Sequence, residues 1–214
     1  MPTPLEKARK NPGSMKARIL RSARHLFGEY GYHGVTTRMI ANEVGIDIST
    51  LHYHWGDKEN LYEAVIIDIN DEMKKKLLDI EKLVSGKSIV TRLEVAIEVM
   101  CDYLFANPEV SKLTIASFFN KTRPDGITDG KLIENIPEIA IAMGLAKRNE
   151  KVPPHSAAMV LAISNAMYSF TSGEKSFKNV LDVERDEYIT VVKDTLKFIL
   201  IPAFDKKNKN KAVN

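Results

Sequence analysis

Apolar residues recur along this chain at spacings of three and four, and strand-like alternation bounded by turn signals is hard to find. Ile19, Leu20, Ala23, Leu26, Phe27 and Tyr30 fall on one face and predict a helix from Ser14, a good N-cap, to Tyr30, stopped by Gly31. Thr36 opens a short second helix with Ile40, Ala41 and Val44 inward, and Gly45 ends it. Asp47 caps a third helix over Ile48 to His54. Asp57 caps a long fourth helix from Lys58 to about Val84, with Leu61, Val65, Ile69, Met73 and Leu77 inward. Beyond residue 85 the pattern predicts helices over 88–106, 108–120, 131–149 (interrupted by Pro137), 154–173 and 183–201, with a turn-rich loop over 121–130. The expected architecture is therefore all-α, with about nine helices. A short-helix module over 14–60 precedes a longer-helix bundle over 61–204. Residues 1–13 are expected as a flexible basic arm and 205–214 as a disordered basic tail.

Composition narrows the class. The 214 residues are 44% hydrophobic and 28% charged, which suits a soluble chain with a sizeable core. No apolar run approaches the roughly 18 residues that span a bilayer, so no membrane partner is expected. The N-terminal MPTPLEKARKNPGS has charge but no apolar core, so it does not read as a secretory signal. One cysteine, Cys101, fits a reducing cytoplasm and reads as a small apolar helix residue. The formal net charge of +3 is unevenly spread. Residues 1–24 carry Lys7, Arg9, Lys10, Lys16, Arg18, Arg21 and Arg24 against Glu6 alone, so one end of the chain suits a polyanion.

The stretch GIDISTLHYHWGDKENLY, residues 45–62, carries the chemistry. Two short helices joined across Gly45-Ile46-Asp47 form a helix-turn-helix signature, in which the second helix enters the DNA major groove. Its N-terminal residues Ile48, Ser49 and His52 are the expected base readers. Ile48 offers a methyl contact to thymine, Ser49 allows close approach, and His52 can donate to or accept from a purine N7 edge. Thr37, Thr50, Tyr53, His54 and Lys58 carry hydroxyl, imidazole and ammonium groups suited to phosphate oxygens, which fix register without reading sequence. Trp55 is expected to pack inward. A metal site is not expected, because His52 and His54 lie about 200° apart on a helix of 3.6 residues per turn.

These residues resemble the DNA-binding domain of the TetR family of bacterial transcription regulators. The resemblance runs over residues 19–65. It lies in A-x-x-L-F (Ala23 to Phe27), G-Y-x-x-x-T-T (Gly31 to Thr37), I-A-x-x-x-G-I (Ile40 to Ile46), T-L-x-Y-H (Thr50 to His54) and K-E-x-L (Lys58 to Leu61). Asp47, Ser49, His52 and Trp55 depart from the family's usual Ser, Gly, Tyr and Phe, and two of these departures fall at base-reading positions.

The resemblance implies a homodimer joined by the last two helices, a palindromic operator, and a small-molecule effector of unknown identity that releases a repressor. No cofactor is implied. Ala158, Leu161, Asn165, Tyr188, Val192, Leu196 and Ile199 are the expected interface. Met100, Tyr103, Leu104, Phe105, Phe118, Phe119, Met143 and Tyr168 form an apolar, adaptable set expected to line the effector pocket. Asn120, Arg123 and Asn165 are candidate polar groups for the ligand. Two other readings stand beside the regulator: an architectural DNA-binding protein without effector, and a helical enzyme. The enzyme reading lacks a Ser/His/Asp set, a Gly-rich phosphate loop and a paired ligand motif.

Overall fold

The computed structural model describes residues 2–119 and 135–204. Among the described residues there are eleven α-helices and no strand, followed by a short 3-10 turn over Ile201–Phe204. The expected loop over 121–130, Asn120, Arg123 and the tail over 205–214 lie outside the described residues, as does the Phe119 side chain. The described chain divides into two compact units. One holds residues 2–72 with 112–119, the other 73–111 with 135–204. The first unit thus extends past the expected boundary at residue 60.

The first unit begins with a helix that replaces the expected flexible arm. Here α1 (Pro4–Lys10) opens on a capping box: Thr3 Oγ1 accepts from the Glu6 amide, and the Glu6 carboxylate accepts from the Thr3 amide. Leu5 and Ala8 are buried. Arg9 pairs with Asp68 at 2.8 Å and with Asp71 at 3.0 Å, both on the long fifth helix. Then α2 (Met15–Gly34) follows Ser14, whose hydroxyl accepts from the Ala17 amide. Its backbone turns at Gly31, where φ is +70°.

Next come α3 (Thr37–Val44) and α4 (Ile48–Trp55). Between them Gly45 adopts φ +75° and ψ 41°, the left-handed conformation that glycine takes without steric cost. Polar contacts fix the three helices together. Arg18 of α2 donates to the Val44 carbonyl at 2.8 Å, closing the C-terminus of α3. Trp55 donates its indole N–H to the Lys16 carbonyl at 3.2 Å. Lys16 in turn donates to the His54 carbonyl at 2.9 Å. Beneath these bonds Ile19, Phe27, Ile40 and Leu51 are fully buried. They are covered by Leu61, Tyr62 and Val65 of α5 (Lys58–Val84), with Tyr62 edge-on to Phe27 at 5.1 Å.

The second unit contains the distal part of α5, then α6 (Ile89–Ala106), the start of α7 (Pro108–Phe119), α8 (Ile136–Ala142), α9 (Pro154–Ser172), α10 (Glu174–Leu181) and α11 (Arg185–Leu200). The pattern missed α10, and of the expected 131–149 helix only Ile136–Ala142 is helical among the described residues. Helices α6 and α11 are joined by apolar burial of Ile97, Cys101, Leu104, Tyr188, Val192 and Leu196. Ion pairs flank that seam: Lys193 reaches Glu98 at 2.8 Å and Asp102 at 2.6 Å, and Lys197 also pairs with Glu98. The two lysine hydrogen bonds hold the Glu98 carboxyl below its usual range. Burial pushes the Cys101 thiol up to about 12, so it is an inert part of the core.

Candidate functional site

Helix α4 owes its position to the α2–α4 clamp and its entry to Asp47. The Asp47 carboxylate accepts from the Thr50 amide at 2.7 Å and from the Ser49 hydroxyl at 2.6 Å. Those bonds, the Ser49 hydroxyl first, hold its carboxyl below the usual aspartate value. With Leu51 and Trp55 buried, the opposite face of α4 is turned to solvent. Ser49 and His52 are exposed on it, and Ile48 is half-buried. The Ser49 hydroxyl has already donated to Asp47, so it has only acceptor capacity left.

The two histidines are held in opposite tautomers by their partners. His52 Nδ1 lies 2.7 Å from the Gly56 carbonyl oxygen, which can only accept. The neutral ring therefore carries its proton on Nδ1 and leaves Nε2 as an outward acceptor. His54 Nδ1 lies 3.1 Å from the Lys16 ammonium, which can only donate. Its proton therefore sits on Nε2, a donor. Burial, and then the Lys16 charge, hold the His54 imidazole below its ordinary value of 6.5. Burial also lowers Lys16, helped by Lys7.

The remaining expected phosphate groups differ in availability. Tyr53 is 84% exposed. Thr37 and Thr50 are half-buried in the first turns of α3 and α4. Lys58 is largely committed. It donates to the Tyr32 carbonyl at 3.1 Å and the Val35 carbonyl at 3.0 Å, and sits 4.2 Å from the Tyr32 ring centroid. One of its three N–H bonds is left over. Among the described residues no three His, Cys, Asp or Glu side chains gather to hold a metal ion. No described helix is long and apolar enough to cross a membrane.

The second unit contains a cavity of about 380 Å3 between α5, α6, α8 and α9. Met100, Leu104, Met143 and Tyr168 line it. Tyr103 and Phe105 do not: Tyr103 sits 5.3 Å from the Lys76 ammonium, and Phe105 packs edge-on to Tyr188 at 5.9 Å. Phe118 belongs to the first unit. Sequence reasoning missed Met73, Leu77 and Ile80 of α5 as lining residues, although their inward spacing on that helix is regular.

The expected interface divides in two. Tyr188, Val192 and Leu196 are buried inside the subunit, with the Tyr188 hydroxyl donating to the Phe170 carbonyl at 2.9 Å, so they cannot form a surface. Ala158 and Asn165 are exposed on α9, with Leu161 half-buried beside them. On α11 Ile199 is 61% exposed. Its neighbour Phe198, which the sequence reading omitted, is 80% exposed.

Comparison with known proteins agrees with this layout. The family model for bacterial regulatory proteins of the tetR family matches residues 19–65. The HTH-type transcriptional repressor AcnR of Corynebacterium diphtheriae is 31% identical over 105 residues, 48% of this chain and 53% of that protein. AcnR of Corynebacterium glutamicum is 39% identical over 54 residues, which cover 25% of this chain and 29% of its own length. The chain thus spans about half or less of these AcnR relatives. The HTH-type transcriptional regulator UidR of Escherichia coli K12 is 26% identical over 149 residues, 60% of this chain and 72% of UidR. Among solved structures, a TetR-like transcriptional regulator from Rhodococcus sp. RHA1 superposes with a TM-score of 0.59 at 15% identity, over 85% of this chain and 92% of that one. Residues 19–65 thus match the bacterial regulatory proteins of the tetR family, and the all-helical fold is that of a solved TetR-like regulator.

Proposed function

We propose that this protein is a sequence-specific DNA-binding transcription regulator, a homodimer that represses from a palindromic operator until a small molecule releases it. The observation that carries the reading is α4. It is a short helix fixed from behind by Leu51 and Trp55, with Ser49 and His52 exposed on its outer face. Such a helix is presented to a major groove rather than to a core. In this reading Ile48 meets a thymine methyl and Ser49 accepts a hydrogen bond. The outward Nε2 of His52 accepts from a base amino group, adenine N6 or cytosine N4, and not from a purine N7, which is itself an acceptor. Tyr53, the Nε2–H of His54, Thr37, Thr50 and the last N–H of Lys58 meet phosphate oxygens.

One helix-turn-helix covers few base pairs, so affinity comes from two copies on half-sites about 34 Å apart or a multiple of it. The exposed Ala158, Asn165, Phe198 and Ile199 supply the surface for the second copy. The cavity of the second unit is the effector site. A ligand releases DNA only if it favours the state that cannot bind DNA, since equal affinity for both states shifts nothing. This activity belongs in the bacterial cytoplasm, and no chemistry of turnover is required of any residue.

The test is selection of bound duplexes from a random pool, with salt dependence measured on the winner. The reading expects a two-fold symmetric site and a log–log salt slope of about −0.9 for each phosphate neutralised. No enriched motif, from protein refolded to strip any ligand, would overturn it.

A further inference from the structure

The cavity wall is mostly apolar, with Lys74, Glu81, Arg92, Asn135 and Glu138 among its lining residues and two hydroxyls, Ser164 and Tyr168, on α9. Met73, Ile97, Met100, Leu104, Ile163 and Met167 supply buried hydrocarbon and thioether surface. Ser164 and Tyr168 lie one helical turn apart, so both face the cavity from the same side of α9. Among the described residues neither hydroxyl has a hydrogen-bond partner. Neither is sealed inside protein either: among the described residues the fully enclosed unpartnered side-chain atoms are the hydroxyls of Ser22 and Ser172. Tyr168 is half-buried and lines the cavity. An unpaired phenol in such a place costs free energy until something accepts from it. Burial holds that phenol protonated, pushing it up to about 12, so it is a donor at any working pH.

Charge around the cavity discriminates further. Among the described lining residues Lys74 and Arg92 are balanced by Glu81 and Glu138, so these carry no net charge to attract an ion. The Arg92 guanidinium is already engaged, donating to the Lys87 carbonyl at 3.0 Å and the Ala142 carbonyl at 3.1 Å. Both acidic residues are exposed, and none of the described lining residues that are buried is charged. An ionised ligand would lose its hydration there without a dedicated counter-ion.

We propose that the cavity takes an uncharged, largely hydrocarbon small molecule bearing one carbonyl or hydroxyl oxygen, which accepts a hydrogen bond from Tyr168 with Ser164 beside it. A volume of about 380 Å3 suits a single small molecule rather than a peptide. The flexible thioethers of Met73, Met100 and Met167 let the hydrocarbon part vary in shape, so selectivity resides in the oxygen. The inference rests on the regulator reading only in calling that molecule an effector.

The experiment is calorimetric titration of the full-length protein with a matched ten-carbon set: 2-decanone, 1-decanol and sodium decanoate below its micelle concentration. The ketone and the alcohol are expected to bind at least about tenfold more tightly than the carboxylate, whose charge must be desolvated. Tyr168→Phe keeps the shape and removes the donor. It is expected to weaken 2-decanone roughly fivefold without lowering the melting temperature of the ligand-free protein. Decanoate binding as tightly as the ketone, no binding by any of the three, or a Tyr168→Phe variant with unaltered ketone affinity would each overturn the proposal. Duplex selection on the same preparation keeps the two readings apart. Intact selection with failed titration removes the ligand assignment alone, and intact titration with failed selection removes the regulator alone.

Discussion

His52 and His54 are two residues apart, yet their partners give them opposite chemistry. The Gly56 carbonyl fixes the proton of His52 on Nδ1, and the Lys16 ammonium fixes that of His54 on Nε2. One ring therefore presents an acceptor, suited to a base amino group, and the other a donor, suited to phosphate. Replacing His52 with Ala should relax base preference at one symmetric pair of operator positions by about 1–3 kcal/mol per wrong base. Tyr53→Phe should instead weaken all sequences alike. Selection of sites by each variant checks this: an unchanged consensus with His52→Ala removes His52 from the readers, and a changed one with Tyr53→Phe removes Tyr53 from the phosphate set. His54 also predicts a pH effect. Its folded-state affinity for a proton is lowered by burial and by Lys16, so the folded protein binds that proton less readily than the unfolded chain does. The stabilisation is complete above the ordinary value of 6.5 and is lost as pH falls below it. Melting temperature should drop more steeply between pH 7.5 and 5.5 in the native protein than in His54→Gln. Parallel curves would mean that the Lys16–His54 contact carries none of the dependence.

At the level of elements, α1 is the clearest departure from a loose arm. Leu5 is buried, so Leu5→Ala should lower stability by about 2 kcal/mol, the low end for a leucine truncation because α1 lies at the edge of its unit. Denaturant unfolding would show this as a lower midpoint at unchanged slope, whereas a detached arm would leave the midpoint where it was. The signal for α1 was present in the sequence. Thr3 and Glu6 have capping-box spacing, and Pro4 sits at the first helical position. With only Leu5 and Ala8 apolar among charges and prolines, periodicity had too little to register. The helix-turn-helix was far more legible, because Gly45, Asp47 and Thr36 are local cap and turn chemistry that needs no distant partner. Tyr188, Val192 and Leu196 show the opposite case. Their spacing identifies a buried face correctly, but spacing cannot say whether α6 of the same chain or a second copy buries it. The aromatic pocket set failed similarly. Tyr103 and Phe105 share α6 with Met100 and Leu104, and only the packing of α9 and α11 decides which of them borders empty space.

For the whole molecule, the decisive property is whether two copies associate. Phe198 at 80% exposure and Ile199 at 61% form an apolar pair that a stable monomer would have little reason to leave in water. The small or polar Ala158 and Asn165 on α9 are also exposed, and small side chains permit close helix approach. Phe198→Glu should therefore convert a dimer into a monomer, since it places a carboxylate in the centre of a desolvated patch while touching nothing inside the subunit core. Sedimentation velocity at micromolar protein should show the mass halved, with the helical signal retained. Operator affinity should fall steeply and the residual complex should protect a single half-site, because the second recognition helix is no longer delivered with the first. The thermal transition supplies an independent check. A dimer's melting temperature rises with protein concentration and a monomer's does not, so native protein should show the dependence and Phe198→Glu should lose it. If native protein sediments as a monomer and melts independently of concentration, this face of α11 has another occupant and repression by paired half-sites fails with it. If the variant stays dimeric, the contact lies elsewhere on the second unit while the paired reading of DNA stands.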